Sequence, residues 1–431
     1  MEGGFLIVFS GLVFVFAVLA RRLGWYQITP PMAFLVAGAV VFWILPEVAI
    51  DNSAVRVLAE FALLVVLFHD ASAVRVSSLR HHPGIPLRLL LIGFPLALLA
   101  TFGTTSWLLP GVGLAGALLI AGALTPTDAG LGAPTILNPV VPNRIRRALN
   151  VESGLNDGMA TPIVLFALAL LATDEGAAQP TLISISIVPV VLALVEALIL
   201  GLGAAWILDA SSRRGWSSAR SRAIAVLAIP FLAWGIAELI GANGFITAFV
   251  AGMVFGARSG CLHEDGDAAE LLETGADLLS YAVWLFAGGL AVVMIQGGFR
   301  WQWLVLAVLA LTVLRVVPVI ISLIGSGLQL PSMLFIGWFG PRGLATIVFA
   351  LLTLEDLGSE GPVFDIVGVT MTTVVISVFA HGMSAQPLAR QFGHWARNHS
   401  TEKPVDPSKP PMPEPVRTRG RYARIRPHRE P

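Results

Sequence analysis

The chain has 431 residues, 56% of them hydrophobic and only 13% charged, with a formal net charge of zero, whereas a soluble globular domain is about 25% charged. This composition describes a polytopic membrane protein and offers nothing that points to nucleic acid. The single cysteine, Cys261, excludes an intrachain disulfide and a cysteine-built metal cluster.

Taken in chain order, the first apolar segment, Phe5 to Ala20, has the length of a secretory core. No basic residues precede it, and Arg21-Arg22 follow it, so it reads as a retained transmembrane helix. A spanning helix needs about 20 apolar residues. Breaking the chain at charged and Pro/Gly-rich points predicts thirteen: 4–21, 31–46, 54–73, 87–109, 112–136, 146–172, 181–209, 219–240, 243–257, 268–296, 301–324, 329–355 and 362–389.

Arginine and lysine concentrate in cytoplasmic loops, which supplies an independent check on the count. The odd-numbered loops hold Arg21 and Arg22, then Arg75, Arg80 and Arg88, then Arg144, Arg146 and Arg147, then Arg213, Arg214, Arg220 and Arg222, then Arg258. Even-numbered loops carry Glu47, Asp51, Asp174, Glu175, Glu355, Asp356 and Glu360, with Arg300 the exception. The alternation predicts an outside N-terminus and a cytoplasmic C-terminus. A transmembrane domain over residues 1–390 is then followed by 391–431, a Pro/Arg-rich cytoplasmic tail that contains both lysines, Lys403 and Lys409. With so little to bury, the tail is expected to be disordered and too short for a nucleotide-binding module.

Polar groups inside apolar segments mark the candidate site, since a charge at the bilayer centre costs about 3 kcal/mol or more. Predicted helix 5 is interrupted at Leu124-Thr125-Pro126-Thr127-Asp128, where Pro126 has no N–H to donate and disfavours helix at Thr125. Unwound backbone at membrane depth must be buried in protein or line a cavity, where its carbonyls are available to a cation. Thr127 and Asp128 are placed for this, and Asp128 is also placed to cap the half-helix that follows. Predicted helix 6 opens with Val151-Glu152-Ser153-Gly154-Leu155-Asn156-Asp157-Gly158. Residues four apart share a helix face. Ser153 with Asp157 therefore offers hydroxyl and carboxylate oxygens, and the adjacent Glu152 needs a positive partner.

That partner is expected to be Arg342, in Gly340-Pro341-Arg342-Gly343 of predicted helix 12. Helices 5 and 12 are both broken and lie seven apart, which fits two inverted repeats, helices 1 to 6 and 8 to 13, linked by helix 7. Paired broken helices of that kind point to a secondary-transporter site. Asp70 after His69 is either a funnel residue or a solvated helix end, and His69 either a polar end residue or a proton carrier. Arg315 is expected to form a structural pair, Glu196 and Glu238 to be structural or interfacial, and Trp25, Trp107, Trp216, Trp301 and Trp303 to anchor at the membrane interface.

Thr125-Pro126-Thr127-Asp128, the Glu152 to Gly158 stretch, Gly244-Phe245-Ile246-Thr247-Ala248-Phe249-Val250-Ala251-Gly252 and Gly340-Pro341-Arg342-Gly343 together resemble the cation:proton antiporter-1 family, nearest to its NhaP-type sodium/proton branch. The resemblance implies an all-α fold of thirteen helices in two inverted repeats, a core domain moving against a dimerisation domain, a homodimer, and residence in the cell membrane. It implies that Asp157 binds the cation or the proton, with Asn156 beside it. Ser153 and the Thr127 main chain complete the ligand set, and Glu152 pairs with Arg342. An Asn-Asp pair in place of two aspartates implies electroneutral one-for-one exchange. Two departures stand out: Ala129 follows Asp128 where a proline is usual, and His69 precedes Asp70 where the acid usually comes first.

The expected function is exchange of a monovalent cation, Na+ or alternatively K+, for a proton, with no other cofactor. A cation channel would need a carbonyl filter or charge ring, and no repeated filter motif is present. An intramembrane protease would need Ser with His or Lys or two spaced aspartates, and neither His69 nor His381 lies near such a serine motif.

Overall fold

A computed structural model describes residues 2–44, 52–74, 84–174, 187–260, 262 and 266–399. The expectations for Glu47, Asp51, Arg75, Arg80, Glu175, Cys261 and the tail from residue 400 lie outside these residues. Among the described residues the chain is all helix and turn, with no strand.

Numbering the helices by the span they build gives α1 (Glu2–Trp25), α2 (Pro30–Ile44), α3 (Asn52–Ala73) and α4 (Gly84–Leu108). Next come α5a (Gly113–Leu124), α5b (Ala129–Ile136), α6 (Asn143–Asp174), α7 (Val188–Arg213), α8 (Ala219–Ile240), α9 (Gly244–Arg258) and α10 (Gly266–Gln296). The last three spans are α11 (Trp301–Leu323), α12a (Leu330–Trp338) with α12b (Leu344–Leu357), and α13 (Pro362–His399). Each predicted segment falls on one of these, and nine described spans are long and apolar enough to cross a membrane. Of the rest, α2 and α9 are shorter apolar helices.

Local chemistry sets the ends. Asn243 accepts the Ile246 N–H at 3.0 Å and starts α9, and Ser218 accepts the Ser221 N–H at 3.1 Å and starts α8. Gly241 stops α8 in the left-handed conformation at φ 70°.

Packing sorts the helices into two groups. In the first, α2 and α3 pack on α10, α3 and α7 on α9, and α8 on α9 and α10. Gly252 and Gly256 of α9 let the α3 backbone approach, since a Cβ at either would meet the carbonyl oxygen of Phe68 or Ser72 at 2.5 or 2.2 Å. In the second, α4 and α6 pack on α5a, α11 on α12a and α13, and α13 on α5b and α12b. The groups meet where α3 touches α6 and α12b, and where α10 touches α12b and α13.

Two expectations change, and one exception finds its partner. The last helix runs past residue 390 to His399 because Phe392 and Ala396 still have a buried face to fill. Trp303 is fully buried rather than interfacial, its indole N–H donated to Asp365 at 2.7 Å, while Trp25, Trp107, Trp216 and Trp301 are exposed. Arg300, the exception to the charge pattern, is paired with Asp365.

Candidate functional site

The two breaks predicted from Pro126 and Pro341 lie against each other, and their main chains are joined by the Asp128 N–H donating to the Pro341 carbonyl at 2.8 Å. Four half-helix ends meet here, each with backbone groups left over by the break. Both N-terminal ends are served by Asp128. Its Oδ1 accepts the Leu131 N–H of α5b at 3.0 Å, and its Oδ2 accepts the Leu344 N–H of α12b at 2.8 Å. One carboxylate thus faces two positive dipole ends. Gly343 makes this possible: a Cβ there would lie 1.9 Å from Asp128 Oδ2.

Arg342 serves the C-terminal end of α5a. Its Nη1 donates to the carbonyls of Thr125 and Pro126, the latter at 2.8 Å, and Nη2 donates to Ala310 of α11 at 3.1 Å. The expected Glu152–Arg342 pair is therefore corrected. Glu152 Oε1 is bound instead by Arg315 Nη1 of α11 at 2.5 Å. The physical reason is that proline at 126 leaves carbonyls of the α5a end without N–H donors, and the guanidinium of Arg342 fills them. Gly340 leaves room for the second arginine, since a Cβ there would meet Arg315 Nε at 2.6 Å.

The expected site residues of α6 face the first break. Thr127 Oγ1 is 2.9 Å from Ser153 Oγ and accepts from Asn156 Nδ2 at 2.8 Å. Asp157, one turn beyond Ser153, has its carbonyl bonded by the Thr161 hydroxyl at 2.8 Å. Asp157 is 7% and Asp128 8% exposed, whereas Glu152, Arg315 and Arg342 are each 2% exposed. Buried acceptor oxygens without a hydrogen-bond partner among the described residues include Asn156 Oδ1 and Glu152 Oε2. Glu152 and Asp157 both lie within Coulombic reach of Arg342.

Asp70 stands apart, at the end of α3, with its Oδ1 2.8 Å from His69 Nδ1. Its carbonyl oxygen lies 3.3 Å from where a Cβ on Gly154 would be, so α3 touches α6 one turn from Asp157. Glu196 is structural, accepting from Thr247 at 3.1 Å and tying α7 to α9. Among the described residues, no group of three His, Cys, Asp or Glu side chains could hold a metal ion by itself.

Three residues went unpredicted. Ser377, His381 and Ser384, spaced along one face of α13, hold the second break from behind. Their only sequence signal is hydroxyl and imidazole groups at i, i+4 and i+7 in an apolar helix.

With this geometry in view, the chain compares with known proteins as follows. The transmembrane sodium/hydrogen exchanger family matches residues 8–391. A Na+/H+ antiporter of Schizosaccharomyces pombe is 29% identical over 269 residues, which cover 59% of this chain and 57% of that one. The K+/H+ antiporter NhaP2 of Shewanella oneidensis is 24% identical over 206 residues, 48% of this chain and 35% of that one. The chain thus aligns with between about a third and somewhat more than half of the length of these curated relatives. The structure of the sodium proton antiporter MjNhaP1 from Methanocaldococcus jannaschii at pH 8 superposes with a TM-score of 0.69 at 18% identity, covering 91% of this chain and 100% of that one.

Proposed function

The chain belongs to the sodium/hydrogen exchanger family, and on that premise we propose that it exchanges one monovalent cation for one proton across a membrane, with Asp157 as the group for which the two compete. The observation that carries this reading is the charge balance of the crossing. Three carboxylates, Asp128, Glu152 and Asp157, are gathered with two guanidinium groups, Arg315 and Arg342. The sum is one negative charge, which one Na+, one K+ or one proton cancels.

Low dielectric gives that count its force, because an uncompensated charge in the membrane is costly. Asp128 faces two helix ends and Glu152 binds Arg315, and we assign the exchangeable charge to Asp157, the carboxylate one turn beyond Ser153. The oxygens of Ser153, Asn156 Oδ1 and the Thr127 main chain stand beside it as hard donors of the kind small cations take. A site filled by a cation or a proton is neutral and able to move between the two faces; an empty one is charged and held. That rule yields obligatory, electroneutral alternating access without the two ions meeting. In this reading Asp128 is a fixed counter-charge, and Asp70 with His69 lies on the cytoplasmic approach.

Donor types alone do not separate Na+ from K+; Na+ is our first assignment because the Na+/H+ antiporter of Schizosaccharomyces pombe is 29% identical and the K+/H+ antiporter of Shewanella oneidensis 24%. The N-terminus is placed outside and the C-terminus in the cytoplasm by the arginine-rich odd loops. The experiment is pH change in vesicles on adding Na+, K+ or Li+ in turn with the membrane potential clamped. Cation-dependent proton flux insensitive to potential supports the reading; conductance without coupled proton movement supports a channel and overturns it.

A further inference from the structure

Of the four half-helix ends at the crossing, three are accounted for above; the fourth is the C-terminal end of α12a. Its last carbonyl, Trp338 O, accepts the Gly340 N–H at 2.8 Å and also lies 2.9 Å from His381 Nε2. On the other side of the ring, Nδ1 is 3.2 Å from Ser377 Oγ and 2.9 Å from the Ser377 carbonyl oxygen. Ser377 Oγ in turn accepts the Arg342 main-chain N–H at 2.7 Å. The ring is fully buried, stacked on Trp338 with centroids 5.2 Å apart, and Trp338 is further held through its indole N–H to Ser384 Oγ at 3.0 Å.

A main-chain N–H only donates and a carbonyl only accepts. Both ring nitrogens face a carbonyl, Trp338 O for Nε2 and Ser377 O for Nδ1, so a proton on either one ties the ring to one of these two main chains, and Ser377 Oγ accepts from Arg342.

We infer that His381 is a positioning residue for exchange: with Nε2 on the Trp338 carbonyl and Nδ1 on Ser377, it ties the C-terminal end of α12a to α13 and, through Ser377, fixes the main chain that carries Arg342. The inference rests on the exchange reading.

The test compares wild type, His381→Gln, His381→Leu and Ser377→Ala in proteoliposomes, reading maximal rate and half-saturating Na+ and K+ separately. His381→Leu and Ser377→Ala are expected to shift the half-saturating concentration by about five-fold, the scale of one buried hydrogen bond. His381→Gln, which keeps an N–H for Trp338 O, is expected within about two-fold of wild type on the same scale. A fall in maximal rate with half-saturation unchanged marks a merely structural role and overturns the inference, as does a glutamine variant no better than leucine. Should the leucine variant fail to fold, wild-type half-saturation in Ser377→Ala overturns it. A wild-type protein without cation-coupled proton movement overturns the exchange reading and this inference together; one that exchanges normally beside unaffected variants overturns this inference alone.

Discussion

The two breaks have the same origin, a proline in an apolar helix, yet different surroundings. That of α5 faces α6 and its Ser153, Asn156 and Asp157. That of α12 faces α13, where Ser377, His381 and Ser384 hold it by hydrogen bonds. Each supplies what the other lacks: Arg342 fills the carbonyls of the first, and Asp128 caps the N-terminal end of α12b in the second. The lesson is a division of labour, in which one break presents ligands and the other is held as the frame. Inverted repeats produce such a pair without making the two halves equivalent.

The comparison is broken most severely at the ligand side. Asp157→Asn is expected to abolish cation-dependent proton flux in everted vesicles while leaving expression and thermal stability near wild type. Robust flux in this variant would remove Asp157 from its role. In the wild type, competition predicts exchange that falls at low pH, where protons fill the site, and at high pH, where too few return; a flat profile between the extremes would count against one shared carboxylate.

Next in size is the pair that flanks the ligands. Glu152→Gln alone leaves the buried Arg315 uncompensated and is expected to cost about 3–5 kcal/mol, read as a lower melting temperature in detergent. Adding Arg315→Gln should recover much of the loss, whereas adding Arg342→Gln should deepen it. The reverse order of rescue would restore the pairing expected from the sequence.

On the frame side, Gly343→Ala puts a methyl group where the Asp128 carboxylate lies. Displacing that carboxylate from two helix ends is expected to cost about 1–3 kcal/mol, the range of core overpacking, with maximal exchange falling in parallel. The smallest effect is expected outside the crossing. Arg56 of α3 binds Glu60 at 2.8 Å and reaches Asp356 of α12b at 2.7 Å. Being half exposed, that link should be worth no more than about 1 kcal/mol, so Arg56→Gln should change stability barely measurably.

Much of this arrangement was legible in the sequence. Pro126 and Pro341 announce their breaks by standing among polar and glycine residues in an apolar run, whereas Pro162, Pro230 and Pro387 stay inside continuous helices, and the i, i+4 spacing of Ser153 and Asp157 puts them on one face whatever the tertiary fold. The partner of Glu152 was not legible. Arg315 and Arg342 both sit in apolar segments, and helical phase says nothing about which of two distant helices will face α6. The choice is made by free carbonyls at the α5 break, which claim Arg342 first. Trp303 misled for a related reason: tryptophan near a helix end usually marks the interface, but Asp365, 62 residues away, takes its N–H into the interior. The part His381 plays was not legible, because the sequence sets it only against a protease motif and two of its three contacts are to backbone carbonyls.

The reciprocal capping of the two breaks also bears on how the protein is made. As the chain emerges, α5 is complete some two hundred residues before Arg342 is synthesised. Until then the carbonyls of Thr125 and Pro126 lack their guanidinium, and Asp128 has only one of its two helix ends to serve. The first half must therefore wait in the membrane unfinished, kept by insertion machinery, water or lipid headgroups, and the crossing closes only when the second half arrives. Cutting the gene between the repeats and supplying both halves together should yield a working protein where neither half alone persists.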